Sequence, residues 1–163
     1  MKVTFRGVRG SIPVPGPDTV RYGGNTTCIE IVTDAGDLII LDAGSGIRQL
    51  GNELLAQMPI NASIFISHTH WDHINGFPFF EPAYGPNSSV HVMAGHLREK
   101  GGIQTVLAAQ MDNPMFPVPL EAMQAKMRYE DFEAGMSFDL YDDVTIRTAA
   151  LNHPNGATGY RIE

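Results

Sequence analysis

Short apolar runs of three to seven residues, several of them alternating with polar positions, recur along the chain and predict strands far more often than helices. Strand-like runs cover residues 3–5, 28–33, 37–41, 64–67, 89–94, 126–132, 144–150 and 159–162. Asp34-Ala35-Gly36 between the second and third runs reads as a hairpin turn. Two segments carry helical spacing instead. Residues 46–57 place Ile47, Leu50, Leu54 and Leu55 on one face and are closed by Pro59, and residues 102–110 form the second. Residues 11–18 and 113–119 are too rich in Pro and Gly for regular structure. Residues 75–87 combine Pro and Gly with Phe77, Phe79, Phe80 and Tyr84, which suits either a pocket wall or packing beneath a loop. Helices falling between groups of strands imply an α/β fold with sheets packed face to face and helices outside.

The strand at 64–67 runs directly into His68-Thr69-His70-Trp71-Asp72-His73. Three imidazoles and a carboxylate in six residues are costly without partners, and both groups are common metal ligands. In extended chain, residues two apart point to the same side, so His68 and His70 can hold one ion together. Trp71 starts a turn, and Asp72 and His73 then face another direction, toward a second ion. The spacing differs from the His-Glu-x-x-His pattern, which sets two histidines four apart on a helix. His153 follows the apolar run 144–150 on an Asn152-His153-Pro154 turn and is placed to close the first site. Three protein ligands with an open position for water is the catalytic zinc arrangement.

Of the other histidines, His91 alternates with Val90 and Val92 and is expected to face the surface, while His96, at a strand exit, could reach a pocket but is expected to face solvent. Asp42 ends the run Leu38-Ile39-Ile40-Leu41. It suits two roles equally, orienting a ligating imidazole or capping the helix that begins near Gly46.

Length and composition narrow the class. The 163 residues suit one domain spanning 1–163, with ordinary hydrophobic content of 43%. Against 18 acidic side chains stand 11 basic ones, a net charge of −7, which argues against a general nucleic-acid surface but not against a phosphate ester held by metal ions. The single cysteine, Cys28, excludes an intrachain disulfide and reads as a small buried hydrophobe. No apolar stretch suits a signal peptide or a membrane span, so a cytoplasmic protein without a membrane partner is expected.

The His-x-His-x-Asp-His segment resembles the signature of the metallo-β-lactamase superfamily. Leu41-Asp42-Ala43-Gly44 is similar to its strand-end Asp-x-Gly element and Asn152-His153-Pro154 to its next ligand element. Arg9-Gly10-Ser11-Ile12-Pro13, the segment Tyr22-Gly23-Gly24-Asn25-Thr26-Thr27-Cys28, and Met115-Phe116-Pro117-Val118 resemble one branch, the relatives of ribonuclease Z and of the phosphoribosyl cyclic phosphodiesterase.

The resemblance implies an αββα sandwich with the site at one edge, two zinc ions (manganese or iron as alternatives), His68, His70 and His153 on the first and Asp72 and His73 on the second. It implies hydrolysis, foremost of a small phosphodiester, by metal-activated hydroxide that Asp72 helps to steer. Thioester or lactam hydrolysis by the same cluster, or a non-catalytic metal-binding or assembly module, are the alternatives. It also implies a later Asp and His that complete the second site. Neither follows His153 before Glu163. The expectation is therefore the N-terminal portion of the fold, either a fragment or a chain completed by a homo-oligomer or second polypeptide.

Overall fold

The computed structural model describes all 163 residues. Six strands form one sheet in sequence order: β1 (Lys2–Gly7), β2 (Cys28–Val32), β3 (Leu38–Leu41), β4 (Asn61–Ile66), β5 (Ser89–Ala94) and β6 (Lys126–Asp131). The first three are antiparallel and β3 to β6 are parallel. Three further strands, β7 (Ser137–Tyr141), β8 (Val144–Leu151) and β9 (Ala157–Ile162), form an antiparallel sheet. The α-helices are α1 (Gly46–Leu54), the single turn α2 (Trp71–Ile74) and α3 (Gly102–Gln110).

Side-chain alternation sorts the core into two layers. Leu38, Ile40, Ala62, Ile64, Ile66, Val90 and Val92 face Ile47, Leu50 and Leu54 of α1 and Ile103 and Leu107 of α3. Ile39, Phe65 and Met93 face the other way and meet Val144 and Ile146 of the second sheet. The near-continuous apolar run of β4 follows from this, since a central parallel strand is buried on both faces. The Phe65 ring lies 5.2 Å from that of Tyr160, which joins the two sheets. None of the α-helices contributes to the second cluster. The layers are thus helices, six-stranded sheet and three-stranded sheet, three of the four in the αββα order.

The expected elements appear with shifted ends. The helix over 46–57 stops being α-helical at Leu54 and tightens into a 3-10 turn at Leu55–Gln57, because Leu55 leaves the buried stripe. Strand β7 was not among the expected runs. Only Phe138 and Leu140 carry its alternation, between polar neighbours, and pairing with β8 across the Asp142-Asp143 turn supplies the rest of its definition. In the 75–87 segment, both suggested roles occur. Phe77 and Phe80 are fully buried in the main core, while Phe79 stays 46% exposed.

Candidate metal centre

Parallel pairing puts the carboxyl ends of β3, β4 and β5 at one edge of the large sheet, where open α/β sheets bind ligands. There β3 delivers Asp42, β4 delivers Ser67 and His68, and the turn after β8 delivers His153. One ligand nitrogen from each of His68, His70 and His153 lies within 4.8 Å of the others. His70 Nδ1 and His153 Nε2 face each other at 3.2 Å. The His68 ring sits centrally, with centroids 4.7, 4.0 and 4.3 Å from those of His70, His73 and His153. Burial, followed by the neighbouring imidazoles, pushes its pKa down to about 4. His68 is therefore neutral at physiological pH, the state that ligates metal.

Asp72 and His73 lie beside this cluster rather than in it, as the turn at Trp71 implied. His73 Nε2 is 3.5 Å from Asp72 Oδ2. The other His73 nitrogen, Nδ1, meets Asp42 Oδ2 at 2.8 Å. Burial lowers the His73 pKa, but the hydrogen bond and charge of Asp42, and then the charge of Asp72, outweigh it and the net shift is upward. Asp72 Oδ2 accepts the Ser11 backbone N–H at 2.8 Å. Burial opposes ionisation of Asp72, yet that hydrogen bond and His73 hold its pKa below the usual carboxylate range.

Asp42 takes the orienting role and not the capping one. Helix α1 has Ser45 at its N-cap, and the Asp42 carboxylate turns instead to the motif. Its Oδ1 accepts the Ser67 N–H at 2.7 Å, and its Oδ2 accepts the Ser67 hydroxyl at 2.8 Å and faces His73 Nδ1. Asp42 adopts φ 60°, a left-handed conformation that Asp and Asn tolerate better than most residues.

Two loops are locked against each other beneath the site. Ala43 N–H donates to the His73 carbonyl at 2.8 Å, and Gly76 N–H to the Ala43 carbonyl at 2.9 Å. A Cβ on Gly44 would collide with the Asp72 carbonyl oxygen, and one on Gly76 with that of Gly44. The Ser45 hydroxyl accepts the Thr26 N–H at 2.9 Å, and Thr26 Oγ1 accepts the Ser45 N–H at 2.7 Å. The Asn25-Thr26 segment thereby belongs to the frame of the site. Gly44→Ala is expected to cost about 2 kcal/mol or more, because backbone on both sides must give way. A chemical-denaturation midpoint unchanged from the wild type would contradict this.

His96 departs from its expected solvent position. It is half-buried beside the motif, with Nε2 3.4 Å from Thr69 Oγ1 and a buried Nδ1 that has no partner. The exit of β5 leads toward the motif loop and not away from the sheet, which the local sequence does not encode. Burial, then Lys100, pushes its pKa down to about 4. The unfolded chain takes up this proton near pH 6.5 and the folded one only near 4, so stability falls as pH drops through that window. His96→Gln in the metal-free protein is expected to remove about 1–2 kcal/mol of that fall, after allowance for partial solvent screening. Melting curves at pH 7.5 and 4.5 test it, and an undiminished acid loss would refute it. His91 is half-buried, bonded to Glu130 at 3.0 Å and outside the cluster. Cys28 is fully buried, and burial pushes its thiol pKa up.

The family model described as a beta-lactamase superfamily domain matches residues 38–163, from β3 to the end of the chain. The chain belongs to this superfamily. Among relatives, it is 29% identical over 127 residues to a ribonuclease Z of Haloarcula marismortui, covering 77% of this chain and 38% of that protein. It is 26% identical over 169 residues to a ribonuclease Z of Staphylococcus carnosus, covering 100% of this chain and 49% of the relative. This superfamily member thus spans about half the length, or less, of these curated relatives. Among solved structures, a diphosphatase of the PhnP family matches with TM-score 0.69 at 18% identity, over 98% of this chain and 61% of that one. Zinc-bound PqqB from Methylobacterium extorquens matches with TM-score 0.63 at 17% identity, over 99% and 58%. At such identities these structures speak for the fold.

The donor set of this superfamily member fits a divalent ion. Tetrahedral zinc at about 2.0–2.1 Å from each nitrogen separates ligands by roughly 3.3 Å. The His70–His153 nitrogen pair is already at 3.2 Å. The imidazole of His68 is held neutral, and His73 is anchored through Nδ1 so that Nε2 is left toward Asp72.

Proposed function

We propose that this chain carries the metal-binding part of a hydrolase of phosphodiester bonds. The observation that carries this is the convergence of His68, His70 and His153 within 4.8 Å, with the Asp72–His73 pair alongside. His68, His70 and His153 would hold a first zinc ion, and His73 and Asp72 a second, with manganese or iron as alternative metals. Such a pair of ions supplies an activated water and charge stabilisation for the oxygens of an in-line displacement. The chain's own residues do the positioning. Asp42 fixes the His73 ring through Nδ1, and Ser11 N–H fixes Asp72 through Oδ2, which leaves Oδ1 of Asp72 to orient a nucleophile. The likeness to proteins named ribonuclease Z supports a phosphodiester as the substrate class. The net charge of −7 favours a small substrate over a broad nucleic-acid surface. Residues 1–163 are proposed to act as one unit in the cytoplasm, alone or completed by a second chain.

The test is turnover of bis-p-nitrophenyl phosphate by zinc-loaded protein, with a chelated sample and a thioester substrate in parallel. Zinc-dependent release of nitrophenol is expected, with the thioester slower. Two bound ions per chain with no phosphodiester turnover would overturn the proposal.

A further inference from the structure

A recess of about 500 Å³ opens beside the motif loop, and none of the ligating side chains lines it. Pro13, Arg48, Trp71 and Phe79 are among the residues that line it, together with Asn75 and Gly76. Trp71 lies between His70 and Asp72 in sequence, so the recess adjoins the proposed metal position through the chain itself.

Three features coincide there. Trp71 is 64% exposed, although a large aromatic ring gains most from burial and a turn after His70 needs no ring. Phe79 is 46% exposed between the fully buried Phe77 and Phe80, and its ring packs edge-on to Phe116 at 5.6 Å. Arg48 has no carboxylate within ion-pair distance. Acids outnumber bases 18 to 11, and five of the eight arginines have acidic partners, whereas Arg9, Arg21 and Arg48 do not; of these three only Arg48 lines the recess. An uncompensated guanidinium beside two open aromatic faces suits a ring that carries an anion. Aromatic rings stack on bases irrespective of base identity, and guanidinium pairs with phosphate oxygens.

We propose that this recess is the subsite for an aromatic phosphate of nucleotide size, its ring stacked on Trp71 and its phosphate on Arg48. In terms of the phosphodiesterase proposal, on which this assignment of a role rests, it holds the group on one side of the scissile bond.

Trp71 is the only tryptophan, so its fluorescence reports the recess directly. Zinc-loaded protein is titrated with adenosine 5′-monophosphate, with ribose 5-phosphate as the ringless control. The nucleotide is expected to quench Trp71 saturably, and ribose 5-phosphate is not. Arg48→Met keeps the methylene stem of an exposed residue and is expected to raise the half-saturating nucleotide concentration about ten-fold at an unchanged melting temperature. Equal quenching by ribose 5-phosphate, no quenching by the nucleotide, or an unaltered half-saturation in Arg48→Met would each overturn the subsite. The readout needs no turnover. Saturable quenching without hydrolysis of bis-p-nitrophenyl phosphate would sink the phosphodiesterase proposal and leave the nucleotide site standing. Hydrolysis without quenching would do the reverse.

Discussion

His68→Ala is expected to strip the protein of its first metal ion and, with it, nearly all hydrolytic activity. Of the three imidazoles that converge, His68 is the one that is buried, and its ring contacts those of His70, His73 and His153. Its removal therefore deletes a ligand and also the partition between the two proposed metal positions. Loss of a residue that merely orients a ligand typically lowers metal affinity about 10–100-fold. Loss of the ligand itself should reach at least the upper end of that range, with activity falling in parallel. The fold should survive, since the main core lies below the site and includes none of its ligands. His91→Ala is the matched control, a half-buried histidine bonded to Glu130 and outside the cluster. Zinc per chain, measured by atomic absorption after gel filtration, should drop in His68→Ala and stay unchanged in His91→Ala. Undiminished zinc in His68→Ala would refute the ligand assignment.

Local sequence made the cluster legible because the period of an extended strand and the break at Trp71 are enough to separate His68 and His70 from Asp72 and His73. The central strands were legible for a related reason. Burial on both faces leaves β4 almost uniformly apolar from Ala62 to Ile66. What stayed hidden depends on partners distant in sequence. Asp42 suited two roles until the pairing of β3 with β4 brought Ser67 and His73 to its carboxylate, 25 and 31 residues away. The solvent position expected for His96 failed because residues distant in sequence, Thr69 and Gly156, lie against its side chain. Gly44 and Gly76 carry no local turn signal that marks them as contact points between loops, although each lies where a side chain has no room. Strand β7 needed β8 to define it. Two long-range features had a readable signal, His153 on its Asn152-His153-Pro154 turn and the Asn25-Thr26 segment. For the segment, the signal was its resemblance to a branch marker, and its mutual hydrogen bonds with Ser45 give that resemblance a structural reason.

Asp42→Asn should separate the orientation of His73 from the integrity of the fold. Asn tolerates the φ of 60° at this position, so the backbone is not disturbed. The side-chain oxygen can still accept the Ser67 N–H, but the new amide sits where Oδ2 meets His73 Nδ1. An amide there donates, so Nδ1 must become an acceptor and the ring proton moves to Nε2. That occupies the nitrogen turned toward Asp72, the one proposed to ligate. Affinity at the second position is expected to fall about 10–100-fold while the first ion stays bound. The metal-free variant carries a second signature. His73 has a raised pKa because Asp42 stabilises its charged form, so this contribution is complete below pH 6.5, the ordinary value, and disappears as pH rises through the folded pKa. Asp42→Asn removes it, and the stability deficit relative to wild type should be larger at pH 6 than at pH 8.5. Charge-assisted hydrogen bonds of this kind are worth about 1.5–3 kcal/mol, which sets the scale at acid pH. Titration of the His73 ring by NMR and zinc counting are the measurements. Two tightly held ions with an unshifted His73 titration in the variant would show that Asp42 does not orient this ligand.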